Sequence, residues 1–323
     1  MFFEGHWQNL AMPAFRGISR RHFLITTGAA LWERSIVADE KEPVIDIHQH
    51  TGYLARPDED LVSHQRAMGV TKTILLPAGT PVARASTHQG KSNGLAAKCG
   101  GNESAMSVAK ANPGEFFFGA NEVTDLETAH MEVERYLKLG AKLIGEQKFS
   151  VQCDSVESRK LYELAQEYNV PILLHFQHAT YNLGIERFDK VLASFPKVKF
   201  IAHAQTFWAN IDAAYSDQSV LYPKGLIKPG GITDRLLSDY PNFFGDLSAG
   251  SGLGALTRDE EHTRAFLTRH QDKLMFGSDC PDPAGTGVEC TGAQILATVR
   301  RLAPTKAIER KLLHDNAQQL FGL

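Results

Sequence analysis

Eight short runs rich in Val, Ile, Leu and Phe, separated by stretches of helical character, constrain this chain more than any other feature. They span residues 44–50, 72–77, 116–123, 141–149, 171–177, 199–205, 242–249 and 274–281. Each is nearly continuous in apolar character rather than alternating, the pattern of parallel strands covered on both faces. Residues 125–139 and 155–168 read as two of the intervening helices. In the second, Val156, Leu161, Leu164 and Ala165 recur at helical spacing, Asp154 or Ser155 can cap the start, and Asn169 can stop it. Eight βα units predict an α/β fold, a closed (β/α)8 (TIM) barrel forming a single catalytic domain over residues 41–323. The rival is an open doubly wound sheet, but the Gly-rich nucleotide turn that often follows its first strand is absent. Residues 250–254, rich in Gly, read as a mobile loop after the seventh strand.

Composition narrows the function classes. Of 323 residues, 43% are hydrophobic, enough for a large core, and the net charge of −3 offers no basic stripe for nucleic acid. No run of about 18 apolar residues suggests a stable membrane anchor. The expected partner is a small-molecule substrate, and a homo-oligomer stays open. The four cysteines (Cys99, Cys153, Cys280, Cys290) are too few and scattered for a disulfide framework. None forms a C-x-x-C pair, which argues against a cysteine zinc site. Cys99 with Cys153, or Cys280 with Cys290, could bridge if the protein is exported.

Residues 1–40 stand apart from the fold. Ser19-Arg20-Arg21-His22-Phe23-Leu24 resembles a twin-arginine export signal, an arginine pair before a short apolar stretch, with small residues near Ala38. The expectation is an exported protein, in a bacterial periplasm; the rival is an incidental arginine pair in a cytoplasmic protein. Met12 is then a start better suited to such a signal than Met1.

The polar residues inside the apolar runs carry the chemistry. In a (β/α)8 barrel the C-terminal ends of the strands form the active face. The first run ends Asp46-Ile47-His48-Gln49-His50, whose two histidines are two apart and so share a side. The fifth presents His175, the sixth His203 and the eighth Asp279. A lone strand histidine is usually structural, but four strands offering His or Asp at one mouth make a divalent-metal chelate.

This order of ligands, with Asp46-Ile47-His48-Gln49-His50, Phe276-Gly277-Ser278-Asp279-Cys280-Pro281 and the C-terminal Asn316-Ala317-Gln318-Gln319-Leu320-Phe321-Gly322-Leu323, resembles the amidohydrolase superfamily. The local wording is closest to its amidohydrolase-2 branch, related to aminocarboxymuconate semialdehyde decarboxylase. The resemblance implies a first metal held by His48, His50, His175 and Asp279, most naturally Zn2+, with one ion or two. It implies that Asp279 also accepts and delivers a proton. His203 would be a ligand of a second metal or, as expected here, a residue stabilising charge and moving a proton. On strand four, Glu146 could bridge two metals, Lys148 could be carbamylated, or the two could pair with each other. Softer substrate-binding candidates are Arg84, Lys148, Gln177, His178 and Trp208; Asp246 ends the seventh run. The implied activity is hydrolysis of an ester, lactone or amide in a small molecule by metal-activated water. The alternative is metal-dependent, non-oxidative decarboxylation of a small aromatic or unsaturated carboxylic acid.

Overall fold

The computed structural model describes residues 42–81 and 98–323. The export-signal reading and Arg84 lie outside these residues. Among the described residues eight strands occur, each inside one of the eight apolar runs: β1 (Ile45–Gln49), β2 (Lys72–Leu75), β3 (Phe116–Phe118), β4 (Ile144–Gln147), β5 (Ile172–His175), β6 (Phe200–His203), β7 (Phe243–Asp246) and β8 (Leu274–Met275). Consecutive strands pair in parallel within β1–β3 and within β4–β8. Two seams close the ring. A parallel bridge between Ala120 and Ile144 joins β3 to β4. At the other, Ile47 N–H donates to the Phe276 carbonyl at 3.1 Å and Asp279 N–H to the His48 carbonyl at 2.9 Å. The result is the (β/α)8 barrel that the spacing predicts.

Two apolar layers follow from strands covered on both faces. Ile45, Ile47, Ile74, Leu76, Leu143, Leu173, Ile201 and Met275 form one buried cluster drawn from strands all around the ring, which is the barrel interior. Burying such a side chain contributes about 1.5–3 kcal/mol. The outer layer packs Leu75, Ile144, Leu174, Ala202 and Leu274 against the surrounding helices. Ala317 and Phe321 of the last helix, Asn316–Phe321, join the interior cluster. Asn316 Nδ2 donates to the Leu274 carbonyl at 2.8 Å, and Lys72 Nζ to Gln318 Oε1 at 2.9 Å. Both partners begin strands, so this C-terminal motif plugs the bottom of the barrel, opposite the polar mouth.

The helices begin and end where local chemistry allows. Ser155, rather than Asp154, caps Val156–Glu167, its Oγ accepting from Ser158 N–H at 3.1 Å. The helix expected over 125–139 is Ala129–Lys138. Its first turn is lost because Leu126 N–H folds back onto the Val123 carbonyl. The Gly-rich segment after β7 is a correction: it is not a mobile loop but the helix Ala249–Thr257. A Cβ on Gly252 would lie 2.0 Å from the Leu247 carbonyl oxygen, so the small residue lets this helix sit tight against the end of β7. Among the described residues no helix is long and apolar enough to cross a membrane.

Candidate metal centre

The strand tips bring one group of polar side chains into the barrel mouth: the buried His48 and His50 from β1, Glu146 from β4, His175 from β5, His203 from β6 and Asp246 from β7, with the part-buried Asp279 just after β8. His48 Nε2 and His50 Nε2 are 3.2 Å apart. Glu146 Oε2 lies 3.6 Å and 3.7 Å from them, and Asp279 Oδ1 3.9 Å and 3.4 Å. Glu146 turns its other oxygen the opposite way, with Oε1 2.6 Å from His175 Nδ1 and 2.7 Å from His203 Nε2.

The structure therefore divides the ligand set read from the sequence. His48, His50 and Asp279 gather on one side of Glu146, while His175 stands with His203 on the other. The groups close enough to share an ion are His48–His50–Glu146, Glu146–His175–His203 and His48–His203–Asp246. Glu146 belongs to the first two, with one oxygen facing each pair of histidines. Lys148 lies instead with its Nζ 5.7 Å from the centroid of the Tyr181 ring.

Donor chemistry decides whether these residues suit a cation. The Nδ1 of His50 is 2.7 Å from the Leu76 carbonyl, which can only accept, so Nδ1 carries the proton and Nε2 offers a lone pair. His48 Nδ1 sits 2.7 Å from the Asp246 carboxylate, which orients that ring in the same way. Glu146 Oε2 and Asp279 Oδ1 are buried and have no hydrogen-bond partner. Two imidazole nitrogens thus lie within 3.9 Å of two orphaned carboxylate oxygens. Bonds of about 2.0–2.2 Å to a tetrahedral ion separate its ligands by roughly 3.3–3.6 Å, close to the spacings found. The residues fit a divalent metal.

The charge balance agrees. Burial opposes ionisation of Glu146, yet Lys148 and the hydrogen bonds from His175 and His203 hold its carboxyl well below the usual range. Burial acts likewise on Asp279, and His48 and His50 overcome it. Burial disfavours a charged His48 too, but Asp279 and Asp246 hold its pKa well above the ordinary imidazole value. Burial, with Lys148 nearby, pushes His175 down to about 3, so that ring stays neutral. The cluster is anionic and draws positive charge. A divalent ion meets that demand and also occupies the orphaned oxygens.

Several supports carried no clear sequence signal. Arg56 is buried, donating to the Cys280 and Asp282 carbonyls at 2.8 and 3.0 Å and to Gln49 Oε1 at 2.7 Å. Gln49 Nε2 reaches the Cys280 carbonyl at 2.8 Å, and Ser278 N–H reaches Asp46 Oδ1 at 2.9 Å. Together they lock the Asp279 loop to β1. Ser248 Oγ lies 3.1 Å from His203 Nδ1 and 2.8 Å from Asp246 Oδ2. Tyr53 packs edge-on against His50 at 5.0 Å between centroids. Asp246 is the one member that the seventh run announced; a tyrosine opening the short 3-10 turn Tyr53–Ala55 announces nothing.

The softer candidates scatter. Gln177 Oε1 is 3.1 Å from His175 Nε2, at the edge of a cavity of about 410 Å3 that His178, Thr206 and Arg187 also line. His178 is exposed there. Trp208 is only 3% exposed, and its indole N–H donates to the Asp246 carbonyl at 3.1 Å, so it packs behind β7. All four cysteines are free. Neither sequence-suggested bridge is formed: Cys153 Sγ donates to the Gly184 carbonyl, and Cys280 and Cys290 stay 3.6 Å apart.

With this geometry in view, a match to the family described as amidohydrolase spans residues 45–323. The chain belongs to the amidohydrolase family. No curated protein sequence matches it. Solved structures share the fold. A 5-carboxyvanillate decarboxylase from Sphingomonas paucimobilis aligns with TM-score 0.54 and 14% identity over 87% of this chain and 99% of its own. A 2,6-dihydroxybenzoate decarboxylase complexed with 2,6-dihydroxybenzoate gives TM-score 0.55 and 15% identity over 87% and 100%. A probable 2-pyrone-4,6-dicarboxylic acid hydrolase from Acinetobacter baumannii, with citric acid bound, gives 0.56 and 13% over 87% and 99%. At such identities the likeness is one of fold, and it spans both chemistries.

Proposed function

We propose that this amidohydrolase is a metal-dependent hydrolase that opens an ester, lactone or amide bond in a small molecule. The observation that carries the reading is the convergence of His48 Nε2, His50 Nε2 and the partnerless oxygens Glu146 Oε2 and Asp279 Oδ1. His48, His50, Asp279 and Glu146 would hold one zinc-like ion, and His175 and His203 with Glu146 a second. Ions so held act as Lewis acids and acidify water to a pKa near ~7. The protein does the rest. Asp279 Oδ1 accepts the proton of the attacking water and returns it to the leaving group. Tyr53, packed edge-on against His50, walls the same side of the mouth. Lys148, with its charge close enough to depress Glu146, receives an anionic part of the substrate beside the Tyr181 ring.

Decarboxylation is the second reading, favoured by that same lysine, which could grip a carboxylate. A panel of lactones, esters, amides and aromatic carboxylic acids, assayed with chelated and metal-reloaded protein, separates the two. Metal-dependent acid release from the lactone, ester or amide is expected. Release of CO2 from a carboxylic acid, with no hydrolysis across the panel, would sink the hydrolase reading.

A further inference from the structure

Outside the barrel mouth, three ligand-bearing side chains from separate parts of the chain meet in a fully buried position. His64 comes from the helix Asp58–Met68, Cys280 follows Asp279, and Cys290 caps the helix Thr291–Leu302. Each is 0% exposed. Cys280 Sγ and Cys290 Sγ are 3.6 Å apart, Cys290 Sγ is 3.4 Å from His64 Nε2, and all three ligand atoms lie within 4.8 Å of one another.

Those spacings have a meaning. A disulfide requires about 2.05 Å between sulfurs, so the pair is not bonded. Zinc bonds of about 2.3 Å to sulfur and 2.0–2.1 Å to nitrogen place tetrahedral ligands roughly 3.8 Å (S to S) and 3.5 Å (S to N) apart. The observed edges fall a little inside those values. A backbone donor is aimed at one sulfur, with Ala293 N–H reaching Cys290 Sγ at 3.3 Å. Such a donor is what a coordinated thiolate needs on its far side. A Cβ on Gly292 would stand 2.9 Å from Met68 Sδ, so a third, thioether sulfur borders the same helix start. Two thiolates, an imidazole and a neighbouring thioether form a soft donor set, unlike the nitrogen and oxygen donors of the mouth.

We propose that Cys280, Cys290 and His64 form a separate metal site for a thiophilic d10 ion, Zn2+ or Cu+. Binding releases the two thiol protons to solvent and forms two metal–sulfur bonds and one metal–nitrogen bond, with no change of oxidation state. The ion clasps the segment between the cysteines to the helix Asp58–Met68. It thereby fixes the residue after Asp279, and the site stands whether or not the hydrolase reading does.

The test uses the reduced full chain loaded with Co2+. Thiolate-to-cobalt charge transfer in the near ultraviolet reports sulfur ligation, and its loss on removing Cys280 or Cys290 assigns it to this site rather than to Cys99, which lies near Glu146 and Asp279. The band is expected in the unmodified protein and in His48→Ala, absent in Cys290→Ser and Cys280→Ser, and strongly reduced in His64→Gln. One equivalent of Zn2+, or of Cu+ delivered from a chelator, should bleach it, and comparing the two identifies the preferred ion. No band in the unmodified protein, or a band that survives in Cys290→Ser, overturns the proposal. So does isolated protein that has lost the mass of two hydrogens and has no titratable Cys280 or Cys290 thiol, which would make the pair a disulfide.

Discussion

Asp246 Oδ2 lies 2.7 Å from His48 Nδ1, both side chains fully buried, and Ser248 Oγ donates to the same carboxylate oxygen at 2.8 Å. The carboxylate holds the His48 ring by the nitrogen remote from the mouth, which fixes the tautomer that leaves Nε2 free. It also adds negative charge behind the ligand and so makes the imidazole a better donor.

Asp246→Asn keeps the shape and one acceptor but removes that charge. Metal affinity should fall by about tenfold to a hundredfold, as for other carboxylates behind metal-bound histidines. Competition with a chromophoric chelator measures it. Unchanged affinity would mean that the His48 ring is held by its packing alone.

A second buried carboxylate serves the fold. Asp234 accepts from Arg269 Nε at 3.0 Å, from Arg269 Nη2 at 2.9 Å and from His270 Nε2 at 2.6 Å, tying the helix Ile232–Asp239 to Glu260–Arg269. Burial opposes its charge, but the His270 and Arg269 bonds prevail and hold its carboxyl below the usual range. A carboxyl depressed on folding adds stability that is fully present above the unfolded pKa, near ~3.9, and is lost as pH falls through the folded value. Asp234→Asn should therefore cost about 2–3 kcal/mol at neutral pH and flatten the acid limb below about pH 4. Urea unfolding across a pH series is the check; parallel acid limbs would exclude Asp234 as their source.

Export is a proposal that rests on Arg20 and Arg21. Residues 12–40 fused to a folded reporter should carry it out of a bacterial cytoplasm, and Arg20→Lys with Arg21→Lys should stop it. Continued export by the double variant would make the arginine pair incidental.

Much of the fold was legible because strands buried on both faces must be continuously apolar, and each observed strand falls inside such a run. What the runs overstate is their C-terminal ends. His50 and Asp279 lie beyond the strands, and Asp279 takes φ 45°, where the chain has turned away from the β8 ladder. The ligand types were legible for a related reason: an imidazole or carboxylate at the end of an apolar run is costly to bury unless a partner or an ion meets it there. Partnerships were not. Spacing gives His48 and His50 a common side but does not say which oxygen of Glu146 faces His175, because that depends on side-chain torsions. The meeting of His64 with Cys290 joins residues 226 apart in the chain, and no local pattern encodes it.

The two faces of Glu146 give the most discriminating experiment. Its Oε2 looks toward His48 and His50, and its Oε1 toward His175 and His203, so one carboxylate serves both halves of the centre. His203→Ala and His175→Ala each remove a donor from the Oε1 side only. Both should keep the ion held by His48, His50 and Asp279 while losing the other. His48→Ala removes a donor from the opposite side and should weaken that first ion. Glu146→Gln keeps the volume but replaces the shared anion by a neutral amide, so mouth-bound metal should fall from about two ions to about one per chain. Metal analysis in a Cys290→Ser background, which silences the proposed sulfur site, reads these numbers without interference. If Glu146→Gln leaves the count unchanged while His203→Ala abolishes turnover, Glu146 is a hydrogen-bond partner of the two histidines. His203 would then serve the substrate rather than an ion.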